Sequence, residues 1–164
     1  MQKAIFNIQN ETDFERCALQ VFKYQFQNNK VYRSFCDLLY IHPSDVKEVT
    51  QIPFLPIQFF KTHQVLSTNQ SVQETFTSSG TTGAQVSKHL VADLSWYETS
   101  YTRAFEHFYG SVKDYTVLGL LPNYLEREGS SLIYMVNDFI NKSNNPKSGF
   151  YLDNLSELTK TLIA

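Results

Sequence analysis

Thr77, Ser78, Ser79, Gly80, Thr81, Thr82 and Gly83 stand in an unbroken run, and Lys88 and His89 follow shortly after. Glycines at 80 and 83 allow turns with positive φ and let a ligand approach the main chain without meeting a Cβ. Successive N–H groups in such a turn converge on an anion, the hydroxyls add donors, and Lys88 adds a full positive charge. The ligand this combination suits is a phosphate or polyphosphate. The Walker form is excluded, because it needs a Lys-Ser or Lys-Thr pair directly after its second glycine, and here Ala84 follows Gly83. The competing reading is a polar hairpin turn, since Ser, Thr and Gly are common turn residues.

Other reactive side chains point less clearly to chemistry. Cys17 and Cys36 occupy apolar positions of helix-like segments and are expected to be buried free thiols. His42, His63 and His107 show no metal-ligand spacing, so no metal site is expected. Glu126, Arg127 and Glu128 follow a predicted strand, where open α/β sheets bind ligands, but they also suit a solvated loop. Trp96 and the tyrosines could line an acyl pocket, and their helical spacing favours core packing. No catalytic residue is assigned from the sequence.

The elements that must position the loop can be read from capping and periodicity. Thr12 and Glu15 form a predicted capping box ahead of a helix carrying Phe14, Cys17, Ala18, Val21 and Phe22. Val31, Phe35, Leu38 and Leu39 mark a second helix, stopped before His42-Pro43 because proline disfavours the helical conformation of its predecessor. "IPFLPIQFFK", 52–61, reads as an extended, packed lead-in, since Pro53 and Pro56 each lack a ladder donor. Val65 and Leu66 could begin a strand. "SVQETFT" and "VSKHLVA" are stronger strands, so the loop is expected to join them as a hairpin. Asp93 should cap a helix with Leu94, Tyr97, Tyr101, Phe105 and Phe108 on one face, ended by Gly110. "YTVLGLL", 115–121, suits a buried parallel strand, 130–142 a helix, "GFYL" another strand, and Asp153 a cap for a last helix.

The expected fold class is therefore α/β: a helical amino terminus over 1–50, then an α/β core over 51–164 made of the hairpin and a β-α-β-α series. One domain is expected over 1–164. Two strands make a poor parallel sheet, and the last helix ends on apolar residues, so the chain is expected to be part of a larger architecture.

Composition limits the partners. Fourteen basic against 16 acidic residues give a net charge of -2, which offers no broad positive field for nucleic acid. No apolar run is long enough to cross a bilayer, and no basic segment with an apolar run opens the chain, so a cytoplasmic location is expected.

Three words in order carry a resemblance: "IPFLPIQFFK", "TSSGTTGAQVSKH" and "LLPNYLEREGSSLIYM". Together they resemble the acyl-protein synthetases, within or close to the adenylate-forming acyl-activating enzymes, from about Ile52 onward. The resemblance implies an ATP-dependent ligase with Mg2+, which turns a fatty acid or other carboxylate into an acyl-adenylate and passes the acyl group to a protein cysteine. It further implies an acyl-CoA reductase-type partner in a fatty acid reductase complex of the kind that serves bioluminescence, with oligomers allowed. Thr77, Ser78, Ser79, Gly80, Thr81, Thr82 and Gly83 would hold the ATP phosphates, with Lys88 and His89 completing or supporting that site. Ala84-Gln85-Val86 stands where many adenylate-forming enzymes carry Pro-Lys-Gly. The family's later motifs and acceptor cysteine have no counterpart before Ala164. An amino-terminal portion, inactive alone, is the resulting expectation. A noncatalytic anion-binding module completed by a partner chain is the alternative, and a simple NTPase ranks third.

Overall fold

The computed structural model describes residues 2–67, 71–78, 85–122 and 128–163. They form two compact units, Met1–Thr75 with Gly80–Ala92, and Phe76–Ser79 with Asp93–Ala164.

The first unit opens with α1 (Gln2–Ile5), α2 (Glu11–Asn28) and α3 (Lys30–Leu38). α2 starts earlier than the Thr12–Glu15 pair suggests, because Asn10 takes the cap, its Oδ1 accepting from the Asp13 amide at 2.9 Å. Asn is a better N-cap than Thr. One buried residue, Asn29, both ends α2 and starts α3. Its amide donates to the Gln25 carbonyl at 2.8 Å, and its side chain accepts from the Tyr32 amide at 3.1 Å. The core between the helices holds Phe22, Phe26, Tyr32, Cys36 and Val46, with Leu19, Phe35, Ile41, Ile52 and Leu55 packed around it.

A 3-10 turn at Val49–Gln51 leads into the proline-rich segment. The Tyr32 hydroxyl donates to the Pro53 carbonyl at 2.6 Å, which holds this segment on the helices. Its extended part is shorter than expected. The Pro56 carbonyl accepts from the Phe59 amide at 3.0 Å, and the chain then turns into α4 (Phe59–Thr62). Proline lacks a donor but not an acceptor, so it can stand just ahead of a helix. The packing is also one-sided: Ile52 and Leu55 face the core, whereas Phe54 and Ile57 are exposed.

Val65 and Leu66 belong to no strand. β1 (Glu74–Thr77) and β2 (Lys88–Val91) pair in a two-stranded sheet, and the adjoining Gln73 amide donates to the Val91 carbonyl at 2.8 Å. Both strands are shorter than the sequence patterns, four residues each.

The second unit contains α5 (Leu94–Tyr109), β3 (Leu118–Gly119), α6 (Ser131–Ser143), β4 (Gly149–Phe150) and α7 (Leu155–Ile163). Asp93 caps α5 through the Ser95 amide, and Gly110 closes it at φ +80°. β3 and β4 run parallel, Leu118 opposite Gly149 and Gly119 opposite Phe150. α6 is thus the crossover of a βαβ unit, as the order of apolar runs implied. Each strand is two residues long, where the apolar runs suggested seven for β3 and four for β4. Asn154, not Asp153, caps α7, its Oδ1 accepting from the Glu157 amide at 3.2 Å.

The core of this unit consists of Tyr101, Val112 and Phe139, with Tyr97, Phe105, Val117, Tyr134 and Met135 against them. Phe108 shares the predicted face of α5 yet is exposed, because the ring contacts to α6 stop at the Phe105–Phe139 pair, 4.9 Å between centroids. The helices and small sheets agree with a mixed α/β composition.

Candidate phosphate-binding site

Thr77 and Ser78 are exposed at the carboxyl end of β1. Within the second unit the Thr77 amide donates to the Gly129 carbonyl at 2.8 Å. Gly129 adopts φ +77°, a conformation that suits glycine, and it precedes Ser130, the N-cap of α6. The entrance of the hydroxyl-rich loop is therefore tied to the residue just ahead of a helix start. The Thr77 N–H is taken up by that bond. Ser79, Gly80, Thr81, Thr82 and Gly83 lie outside the described residues.

The exit of the loop is held within the first unit. The Gln85 side-chain amide donates to the Lys61 carbonyl at 2.7 Å. That carbonyl belongs to the last turn of α4, where helix carbonyls lack intrahelical partners. Four residues on, the His89 ring meets Phe60 edge to face, 6.1 Å between centroids. Lys88 and His89 are both exposed, but neighbouring residues of a strand point to opposite sides. With His89 turned to Phe60, Lys88 is presented on the other side. The Lys-His pair, read as one unit in the sequence, does not converge.

The remaining candidates are used locally. Cys17 and Cys36 are buried free thiols, 5% and 0% exposed. Burial pushes the Cys36 thiol up, and this disfavours the thiolate a nucleophile needs. The His42 Nδ1 pairs with Ser44 Oγ at 2.8 Å and its ring stands against Phe26. His63 pairs with Thr62 Oγ1 at 2.8 Å and stacks on Phe59, and His107 contacts Phe108. Among the described residues no group of three His, Cys, Asp or Glu could hold a metal ion. Glu126 and Arg127 lie outside the described residues, and Glu128 is exposed. Tyr97 and Tyr101 serve the core, with rings 5.0 Å apart.

Sequence reasoning missed Gln85, Phe60 and Gly129. The contacts they make connect each end of the loop to one of the two flanking words: "IPFLPIQFFK" supplies Phe60 and Lys61, and "LLPNYLEREGSSLIYM" supplies Gly129. No local pattern announces a contact across 24 residues; only the joint presence of the three words hinted at it.

The family model described as "Acyl-protein synthetase, LuxE" matches residues 4–106. That span includes α2 and α3 as well as the loop, so the likeness starts well before Ile52, and it ends within α5, ahead of the third word. No curated protein and no solved structure matches the chain. Among the described residues no helix is long and apolar enough to cross a membrane.

Proposed function

The chain belongs to the acyl-protein synthetase family, and from that premise we propose that its hydroxyl- and glycine-rich loop binds the polyphosphate of ATP for activation of a fatty acid or related carboxylate. A carboxylate oxygen attacks the α-phosphorus, the bond from that phosphorus to the oxygen bridging it to the β-phosphate breaks, and pyrophosphate leaves with the electron pair. The product is an acyl-adenylate. The protein's part is to hold the reactants and to place donors where charge grows on the departing group.

The observation that carries this reading is the bracing of both loop ends: Thr77 to Gly129 at the entrance, Gln85 to Lys61 at the exit. At the entrance, the exposed Thr77 carries a hydroxyl, a group that can donate to a phosphate oxygen. Mg2+ would be held mainly through those phosphates, which it would help to neutralise. Under this proposal the βαβ unit is a piece of an adenylate-forming type of fold, working in the cytoplasm with an acyl-CoA reductase-type partner.

The acyl acceptor in this scheme is a cysteine other than Cys17 and Cys36, both of which are buried. The same burial favours a second reading, a nucleotide-binding module without chemistry of its own. Exchange of labelled pyrophosphate into ATP distinguishes the two. Exchange that depends on added fatty acid supports activation. ATP binding without exchange supports the module, and no ATP binding rejects both.

A further inference from the structure

A groove of about 300 Å³ runs within the first unit, between α2 and the turn that follows α3. Leu19 and Phe22 of α2 meet Pro43 and Val46 of the turn to make its apolar part. Phe22 and Val46 belong to the buried core and Leu19 packs against it, so this floor is fixed by the packing of the unit. The turn is closed by the Asp45 amide, which donates to the His42 carbonyl at 2.9 Å. The polar lining is Arg16, Gln20 and Lys23, all exposed, at i, i+4 and i+7 and therefore on one face of α2. Among the described residues no carboxylate lines the groove, and Lys23 has no ion-pair or hydrogen-bond partner. Arg16 pairs with Asp13, but a guanidinium carries donors beyond the one that Asp13 takes.

We infer that this groove binds a small monocarboxylate with an apolar body, the body on Leu19, Phe22, Pro43 and Val46 and the carboxylate between Lys23 and Arg16. Charge selects the ligand: two cations and an amide around an apolar floor complement an anion and repel an ammonium. Size selects a small molecule over a protein. Seven lining residues fall short of the roughly 20–30 a side that a protein interface takes, whereas about 300 Å³ is the lower end of small-molecule sites. Binding here needs neither ATP nor the hydroxyl-rich loop, so it goes beyond the proposed activation reaction and fails independently of it.

The test is calorimetric titration of the full chain with octanoate at low salt and without ATP, beside hexanoate and octylamine, for wild type and Lys23→Glu. Circular dichroism confirms that the variant is folded. Octanoate should bind wild type, and hexanoate about fourfold more weakly, for two missing methylenes that an open groove half buries. Octylamine should bind at least about tenfold more weakly than octanoate. Lys23→Glu, which turns attraction into repulsion, should weaken octanoate about tenfold, and added salt should weaken it in wild type. An octanoate carrying a terminal diazirine should attach on illumination to the peptides covering 16–23 or 43–46. Absence of octanoate binding by wild type, octylamine binding as tight as octanoate, or equal octanoate affinity in Lys23→Glu would overturn the assignment. Attachment confined to other peptides would overturn it too, and needs no variant.

Discussion

Replacing Tyr101 with phenylalanine tests how the second unit is held together, because the change removes one oxygen and leaves the packing in place. Tyr101 is 7% exposed, and its hydroxyl donates to Asp138 Oδ2 at 2.6 Å. Lys142 Nζ pairs with the same oxygen at 2.5 Å and stands 5.5 Å from the centre of the Tyr101 ring. A hydrogen bond to a charged acceptor contributes about 1.5–3 kcal/mol. Since Lys142 still pairs with Asp138 in the variant, the carboxylate is not orphaned, and a loss near the lower end, about 1.5–2 kcal/mol, is expected. The ring keeps its edge contacts to Tyr97 and Phe139, so the larger loss of about 3–5 kcal/mol reserved for a cavity should appear only in Tyr101→Ala. Urea denaturation at pH 7 measures both.

The same variant has a signature in alkali. Burial, and then the hydrogen bond and charge of Asp138, push the Tyr101 hydroxyl well above the ordinary tyrosine range. Its folded value lies above its unfolded value of about 10, so its stabilisation is complete below that pH and is lost as pH rises toward the folded value. Each such tyrosine takes about 1.4 kcal/mol per pH unit from stability in that window. Tyr32 and Tyr97, also raised by burial, keep their share in the variant. Tyr101→Phe should therefore reduce the slope above pH 10 by about 1.4 kcal/mol per unit. A variant within about 0.5 kcal/mol of wild type at pH 7, the range of ordinary surface changes, or one with an unchanged alkaline slope, would refute the reasoning.

Gly119→Ala should destabilise the chain by about 1–3 kcal/mol, because overpacking forces neighbours to move, and a Cβ there would stand 3.0 Å from Phe150 Cδ1 and 3.2 Å from Val136 Cγ1; an unchanged denaturation midpoint would contradict this. The two thiols should react with an aromatic disulfide reagent only as the chain unfolds, since Cys17 and Cys36 are buried. Rapid modification of either in the native protein, followed by absorbance, would reopen it as an acyl acceptor.

Helices were legible wherever a cap and an apolar stripe coincided. Asp93 with Gly110, and Ser130 ahead of Ile133, bracket α5 and α6 closely because both signals act within one turn. Asn10 displaced Thr12 as a cap because two cap-forming residues compete over three positions, and only geometry decides between them. Strands were legible in place but not in length. Val117 to Tyr151 shows why: the β3–β4 ladder is bounded by the Gly149 amide on the Val117 carbonyl and the Tyr151 amide on the Gly119 carbonyl, and a strand extends only as far as its partner does. At the candidate site, residue types suggested the ligand, whereas Gln85 on Lys61 is a tertiary contact without a local signature. The divergence of Lys88 and His89 follows from strand alternation alone once β2 is recognised.

An ATP analogue carrying a reactive acyl group on its terminal phosphate tests most directly whether this loop region holds a polyphosphate. Such a probe acylates a lysine beside the phosphates, and peptide mapping then identifies it. Acylation of Lys88, prevented by excess ATP, is the expected result. Labelling that falls on other lysines, or that ATP does not suppress, would contradict a polyphosphate site at the exit of the Thr77 to Gly83 loop.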